Sequence, residues 1–271
     1  MCIRDRAGDA LTEGDNNVAI GYNALTSETL GERSVAVGMK ALQSQNNTSE
    51  TNAYNVAIGY DAGTSVTTGV QNTLIGALAG DALTTGVTNV AIGYASLSDC
   101  VEGDSNTAIG YATLANYNEG DGNGHNTAVG AASQFAATTG EFNTSLGSTA
   151  MGTGVTTGND NVAIGYKAGQ VLTSAFQNIL IGTRAGDAIT VAQSNIAVGH
   201  GALTSNVFGN YAVAIGTAAL EVQNPANGSH SVYNVAIGYQ AGSDITSGHG
   251  HTIIGGQAGF CLLYTSPSPR D

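Results

Sequence analysis

Asn161-Val162-Ala163-Ile164-Gly165-Tyr166 is one of fourteen variants of a single phrase in this chain. Its glycine recurs at Gly21, Gly38, Gly59, Gly76, Gly93, Gly110, Gly130, Gly147, Gly165, Gly182, Gly199, Gly216, Gly238 and Gly255. Nine of the thirteen intervals are 17 residues, and the others are 21, 20, 18 and 22. A fixed period of this length is the signature of a solenoid, in which each repeat buries its apolar face only against its neighbours.

Numbering each coil from its glycine as zero turns the repeat into columns. Position −1 is always Ile, Val or Leu, and position −3 is always Val, Ile or Thr. Side chains alternate on an extended chain, so these two share a face. β-Branching suits a strand. Position −2 is Ala in ten coils, with Leu74, Ser145, Leu180 and Ile253 as the exceptions. One face is therefore bulky and the other small. The isoleucines before the glycines are expected to be shielded from water. The alanines at −2, with the small residues at +3, are expected to meet another chain closely.

Position −4 is Asn in eleven coils, among them Asn17, Asn55, Asn72, Asn89, Asn106, Asn161, Asn178, Asn195 and Asn234. Stacked in register, such amides form a ladder, which is a structural role. Gly21, Gly59, Gly93, Gly165 and Gly238 stand for the column that bends the chain. A second glycine recurs at +10, so two bends and two extended runs per coil are expected. The fold class is all-β, a parallel β-solenoid or β-roll of about fourteen 17-residue coils. Residues 43–54 and 222–233 lengthen two coils, with 115–125 a third candidate. Such insertions project as loops, often on a binding side.

The termini stand apart from the repeat. Residues 1–6 and 261–271 can be encoded by DNA strings whose first sixteen bases are reverse complements of one another. Both look like a transposon adapter used in preparing sequencing libraries, so they are expected to be artefacts, leaving 7–260 as the repeat domain. That stretch holds four basic and eighteen acidic residues, a net charge of −14. Such a chain repels phosphate backbones, which argues against nucleic acid as a partner. No run of eighteen apolar residues is present, so no helix of this stretch inserts in a membrane. Cys100 is the sole cysteine of 7–260, too few for a disulfide framework or a zinc site.

Chemistry-bearing residues are sparse. Glu-Gly-Asp-x-Asn occurs three times, and two copies lie one coil apart. Glu102, Asp104, Glu119 and Asp121 should then be neighbours, a density of hard oxygen ligands that could hold calcium. Solvated turns are the alternative. His249 and His251, near His230, lack a third ligand fixed by spacing and read as turn residues. Tyr22, Tyr60, Tyr94, Tyr111, Tyr166 and Tyr239 occupy +1, where they either strip-line a binding surface for sugar rings or proteins, or pack over the bend. Thr-Thr-Gly recurs four times, which raises an ice-binding array as a further reading. No phosphate loop, nucleophile elbow or paired-carboxylate motif stands in the required context, so no enzyme is expected.

Across residues 7–260, Asn-[Val/Thr]-Ala-Ile-Gly-x-x-Ala resembles the YadA-like head repeat of trimeric autotransporter adhesins, and also repeats of bacteriophage tail fibres. The resemblance implies a parallel β-roll in a homotrimer, displayed outside the cell on a bacterial surface or a virion. It implies a host surface, matrix protein or glycan as ligand, and a structural, adhesive task without catalysis or cofactor. A calcium-dependent binding module and an ice-binding solenoid are the alternatives.

Overall fold

The computed structural model describes residues 5–118, 124–225 and 230–259. The chain forms two compact units, residues 1–141 and 142–271. All described regular structure is β, and no described helix could cross a membrane. The first unit stacks seven strands in chain order: β1 (Val18–Ile20), β2 (Val35–Val37), β3 (Val56–Ile58), β4 (Thr73–Ile75), β5 (Val90–Ile92), β6 (Thr107–Ile109) and β7 (Thr127–Val129). Every pair is parallel, and equivalent repeat positions face each other, as Val90 faces Thr107 and Ile92 faces Ile109.

The second unit stacks β8 (Thr144–Leu146), β9 (Val162–Ile164), β10 (Ile179–Ile181), β11 (Ile196–Val198), β13 (Val213–Ile215), β15 (Val235–Ile237) and β16 (Thr252–Ile254) in the same parallel register. Each unit is thus a parallel β-solenoid built on the 17-residue repeat. The insertions fold back on the preceding coil. Asn52 bridges Glu32, and β12 (Gly209–Asn210) pairs with β14 (His230–Ser231). Apart from these pairings, the second extended run expected in each coil is wound through turns instead.

Local geometry explains the winding. The zero glycine sits at positive φ, +131° at Gly93, where an added Cβ would stand 2.4 Å from the Gly110 carbonyl oxygen. A side chain is barred by both the dihedral and the next coil. Left-handed residues follow at +2 and +4 and recur at −5, as at Ala95 (φ 50°), Leu97 (φ 56°) and Ser105 (φ 56°). A non-glycine residue held there costs on the order of 1 kcal/mol. Coil-to-coil hydrogen bonds hold it in place, Ala95 N–H to Ala77 C=O at 3.0 Å and Leu97 N–H to Thr113 C=O at 2.9 Å.

The strand faces are reversed from the expectation. The −2 residues point inward: Ala91, Ala108, Ala163 and Ala197 are fully buried, as are the +3 residues Ala79, Ser96 and Ala185. The −3 and −1 residues point outward, and Ile58 and Ile237 remain 39% and 37% exposed. The alanines therefore contact no second chain; they close the coil on itself. The reason is thickness. A coil this short leaves an interior about one side chain deep, which a branched residue at −2 would overfill opposite a leucine at +4.

The −2 exceptions show the same limit. Where −2 carries Leu74, the flanking +4 residues are Gly63 and Gly80, and a Cβ on either would lie 2.6 or 2.8 Å from a Leu74 methyl. Leu180 is matched by Gly169 and Gly186 in the same way, and Ile253 by Gly242. Volume is exchanged between columns so that packing density is kept. A third interior column at +7 (Val66, Leu83, Cys100, Tyr117, Leu172, Ile189 and Ile245) completes the core.

The asparagine column forms the polar spine. Asn55 Oδ1 accepts from Asn72 N–H at 2.8 Å, and Asn72 Nδ2 donates to Gly86 C=O at 2.8 Å. The pattern repeats through Asn89, Asn106 and Asn126, and in the second unit through Asn143, Asn161, Asn178 and Asn195. Ser34 and Ala212 interrupt it, and in both cases a buried glutamine at +7 of the inserted coil takes over. Gln45 Oε1 accepts from Asn55 at 2.9 Å while its Nε2 donates to Ser34 Oγ at 3.0 Å. Gln223 Oε1 accepts from Asn234 at 2.8 Å, but its Nε2 has no partner, and Ala212 stands where the other interrupted coil has the Ser34 hydroxyl.

Two expectations follow. Ala163→Glu or Ala197→Glu places a carboxylate in a closed apolar interior and unfolds the second unit, a loss above ~3 kcal/mol, checked by urea denaturation followed by circular dichroism. Ala212→Ser supplies the missing acceptor for Gln223 and stabilises that unit by about 1 kcal/mol in the same assay.

Candidate functional site

The interior is closed, and its polar groups are taken up by the coil-to-coil hydrogen bonds described above, so groups free to meet a ligand are sought on the outer surface. Its broadest feature is the face made by −3 and −1. All 28 residues there are Val, Ile, Leu or Thr, with no charge among them. Leu146 is 48% exposed. Beside this face run the +1 tyrosines Tyr22, Tyr60, Tyr94, Tyr111, Tyr166 and Tyr239, each about half exposed or more. Tyr94 and Tyr111 stack at 5.7 Å between ring centres, 11° from parallel. Each unit thus carries an uncharged, partly exposed face bordered by tyrosines, on a chain of net charge −13.

Of the four carboxylates in the calcium reading, Glu102 and Asp104 are described. Asp104 Oδ1 accepts from Val87 N–H at 2.7 Å, so it serves the preceding coil. Glu102 is half-buried; Glu119 and Asp121 lie outside the described residues. Among the described residues no three His, Cys, Asp or Glu side chains converge on one point. His249 is exposed, and His251 N–H donates to Asn234 Oδ1 at 2.9 Å, ending the asparagine spine. The threonines of Thr-Thr-Gly direct hydroxyls along the stack: Thr67 Oγ1 donates to Thr84 C=O at 3.2 Å and Thr84 Oγ1 to Val101 C=O at 3.0 Å.

One buried anion stands out. Glu28 is fully buried and accepts six hydrogen bonds, from the N–H groups of Thr29, Leu30, Gly31 and Asn47 and from the amides of Gln45 and Asn47, at 2.7–3.2 Å. Oriented N–H groups satisfy the charge without a cation. This carboxylate ties the insertion at 43–54 to the stack, which makes it an anchor. Its place at +7, a column otherwise apolar in most coils, was the overlooked signal.

A second missed feature is a shallow groove of about 330 Å³ in the second unit, lined by Thr157, Gly158, Asn159, Asp160, Ser174 and Phe176. It sits in the coil whose interval is 18 residues, between Gly147 and Gly165. The surplus residue is absorbed around Val155, and the register is recovered where Thr157 N–H and Gly158 N–H both meet Thr173 C=O, at 2.8 and 3.0 Å. That odd interval was the only sign of it in the sequence.

Compared with protein-family profiles, with curated proteins and with solved structures, the chain matches none.

Two carboxyls are displaced from the ordinary range. Burial pushes Asp81 up, and the neighbouring carboxylates Asp99 and Asp61 add to this, while its own backbone hydrogen bond opposes it. Burial likewise raises Asp187, with Arg184 at 3.7 Å opposing. A carboxyl raised in the folded state binds its proton more tightly there than in the unfolded chain. Its contribution is complete below the ordinary value of 3.8 and is lost as pH climbs through the raised one. Asp81→Asn should therefore raise the melting temperature at neutral pH, with the gain vanishing below that ordinary value; a thermal melt at both pH values checks it.

Proposed function

We propose that the chain is a non-enzymatic, adhesive segment of an extracellular fibre, of a bacterial surface adhesin or a phage tail fibre, and that it works as a homotrimer joined through the −3/−1 face. The observation that carries this reading is the reversal of the strands. The branched aliphatic residues at −1 lie on the outer side of every strand and stay only partly shielded, Ile58 at 39% and Leu146 at 48% exposure. Full burial of an isoleucine is worth on the order of 1.5–3 kcal/mol, and association recovers the part of it that the exposed fraction leaves, less than half at Ile58 and Ile237. A second copy is the partner whose ridges repeat at the same interval, so that strand rungs and side-chain rows stay in step along the interface.

The rest of the surface fits the same task. The net charge of −13 keeps such fibres soluble and discourages nucleic acid. The +1 tyrosines border the apolar face, where aromatic residues are common at interfaces. Host surface, matrix protein or glycan ligands would meet what remains outside: the insertions and the turn-rich side of the coils.

Ile164→Glu combined with Ile181→Glu places two charges on the outward face without entering the core. Light scattering after gel filtration should then show one-third of the wild-type mass, with an unchanged circular dichroism spectrum. A wild-type chain that runs as a monomer at micromolar concentration would refute the association.

A further inference from the structure

We infer that the groove at Thr157–Phe176 binds a neutral saccharide. This deepens the fibre reading, on which it rests for the expectation that a ligand is displayed, and adds the ligand's chemistry and its place. The groove offers an aromatic ring, Phe176, 39% exposed. The rest of the lining is Thr157, Asn159, Asp160 and Ser174, residues that carry hydroxyl, amide and carboxylate groups, and the Thr157 hydroxyl donates to Thr173 C=O at 3.5 Å. A pyranose has one face of C–H groups and a rim of hydroxyls that both donate and accept. An aromatic surface beside a carboxylate, an amide and two hydroxyls matches both features. The groove volume of about 330 Å³ lies at the lower end of small-ligand sites, enough for one or two sugar rings.

The backbone under the groove is held before any ligand arrives. Phe176 C=O accepts from Ser194 N–H at 3.1 Å and from Asn178 Nδ2 at 3.2 Å. Asn159 C=O accepts from Gln177 N–H at 3.1 Å and from Asn161 Nδ2 at 3.2 Å. Gly158 is fixed by the stacking itself, because an added Cβ would fall 1.8 Å from Ala175 C=O in the next coil. Preorganised groups lose little freedom on binding. Charge narrows the class further. Asp160 and the net charge of −13 oppose a uronic or sialic acid and a phosphate, which leaves neutral sugars.

The test titrates the full chain with maltohexaose, cellohexaose and laminarihexaose by saturation-transfer NMR and calorimetry. At least one should bind at millimolar concentration or below. Phe176→Ala should weaken it roughly tenfold or more, and Phe176→Tyr should retain it. Asp160→Asn should weaken it by a smaller factor. Circular dichroism confirms folding, and Phe176 is exposed enough to tolerate replacement. No binding by the wild type to any of the three, or binding that Phe176→Ala leaves unchanged, overturns the inference. Light scattering on the same samples reports association separately, so a monomeric wild type would count against the fibre reading and leave the saccharide result standing.

Discussion

An interior one side chain deep is the constraint on which this protein depends. Seventeen residues per coil enclose too little space for branched side chains at both −2 and +4, so the inward strand position is held to alanine unless the facing +4 residue shrinks to glycine. The Leu74 side chain with Gly63 and Gly80, and Leu180 with Gly169 and Gly186, show that the limit is total volume and not residue identity. The glycine at zero obeys the same economy of space. At Gly93 the approach of the next coil leaves no room for a Cβ, and the positive φ would disfavour one anyway.

Small residues at the inward strand position leave the branched −3 and −1 residues outside, while the large core side chains come from +4 and +7. In a globular sheet the branched face would be the buried one. Here it forms an uncharged outer surface bordered by tyrosines, the surface on which the proposed association rests. Polar groups are managed along the stack in the meantime. The asparagine spine uses amide donors and acceptors in every coil where it is intact, which is why this column tolerates so few substitutes. Where Ser34 and Ala212 interrupt it, Gln45 and Gln223 carry it across an insertion. Glu28, with its six donors, shows that an anion can be accommodated in the same column when the insertion supplies N–H groups.

Irregularities in the period are where this stack acquires individual features. Two lengthened coils fold back as short parallel pairs on the preceding coil. The coil with one surplus residue opens the groove beside Phe176. A uniform stack would present only identical rungs, so recognition of a particular ligand has to come from such breaks.

The repeat of glycine and asparagine determined the solenoid, its parallel register and its coil boundaries, because both residues answer to local backbone demands that the sequence states directly. Their spacing alone places Val90 against Thr107 and Asn72 against Asn89. The sequence also showed that one strand face is bulky and the other small. Which of them faces inward was decided by tertiary structure, since alternation gives two faces but no sign, and the sign depends on how wide the closed coil is. The exchange of volume between Leu74 and its two glycines, the +7 column around Glu28 and the groove at Asp160 were likewise settled only by stacking. Each depends on contacts between residues a coil apart, and their distances follow from how the coils close and not from any one stretch of chain.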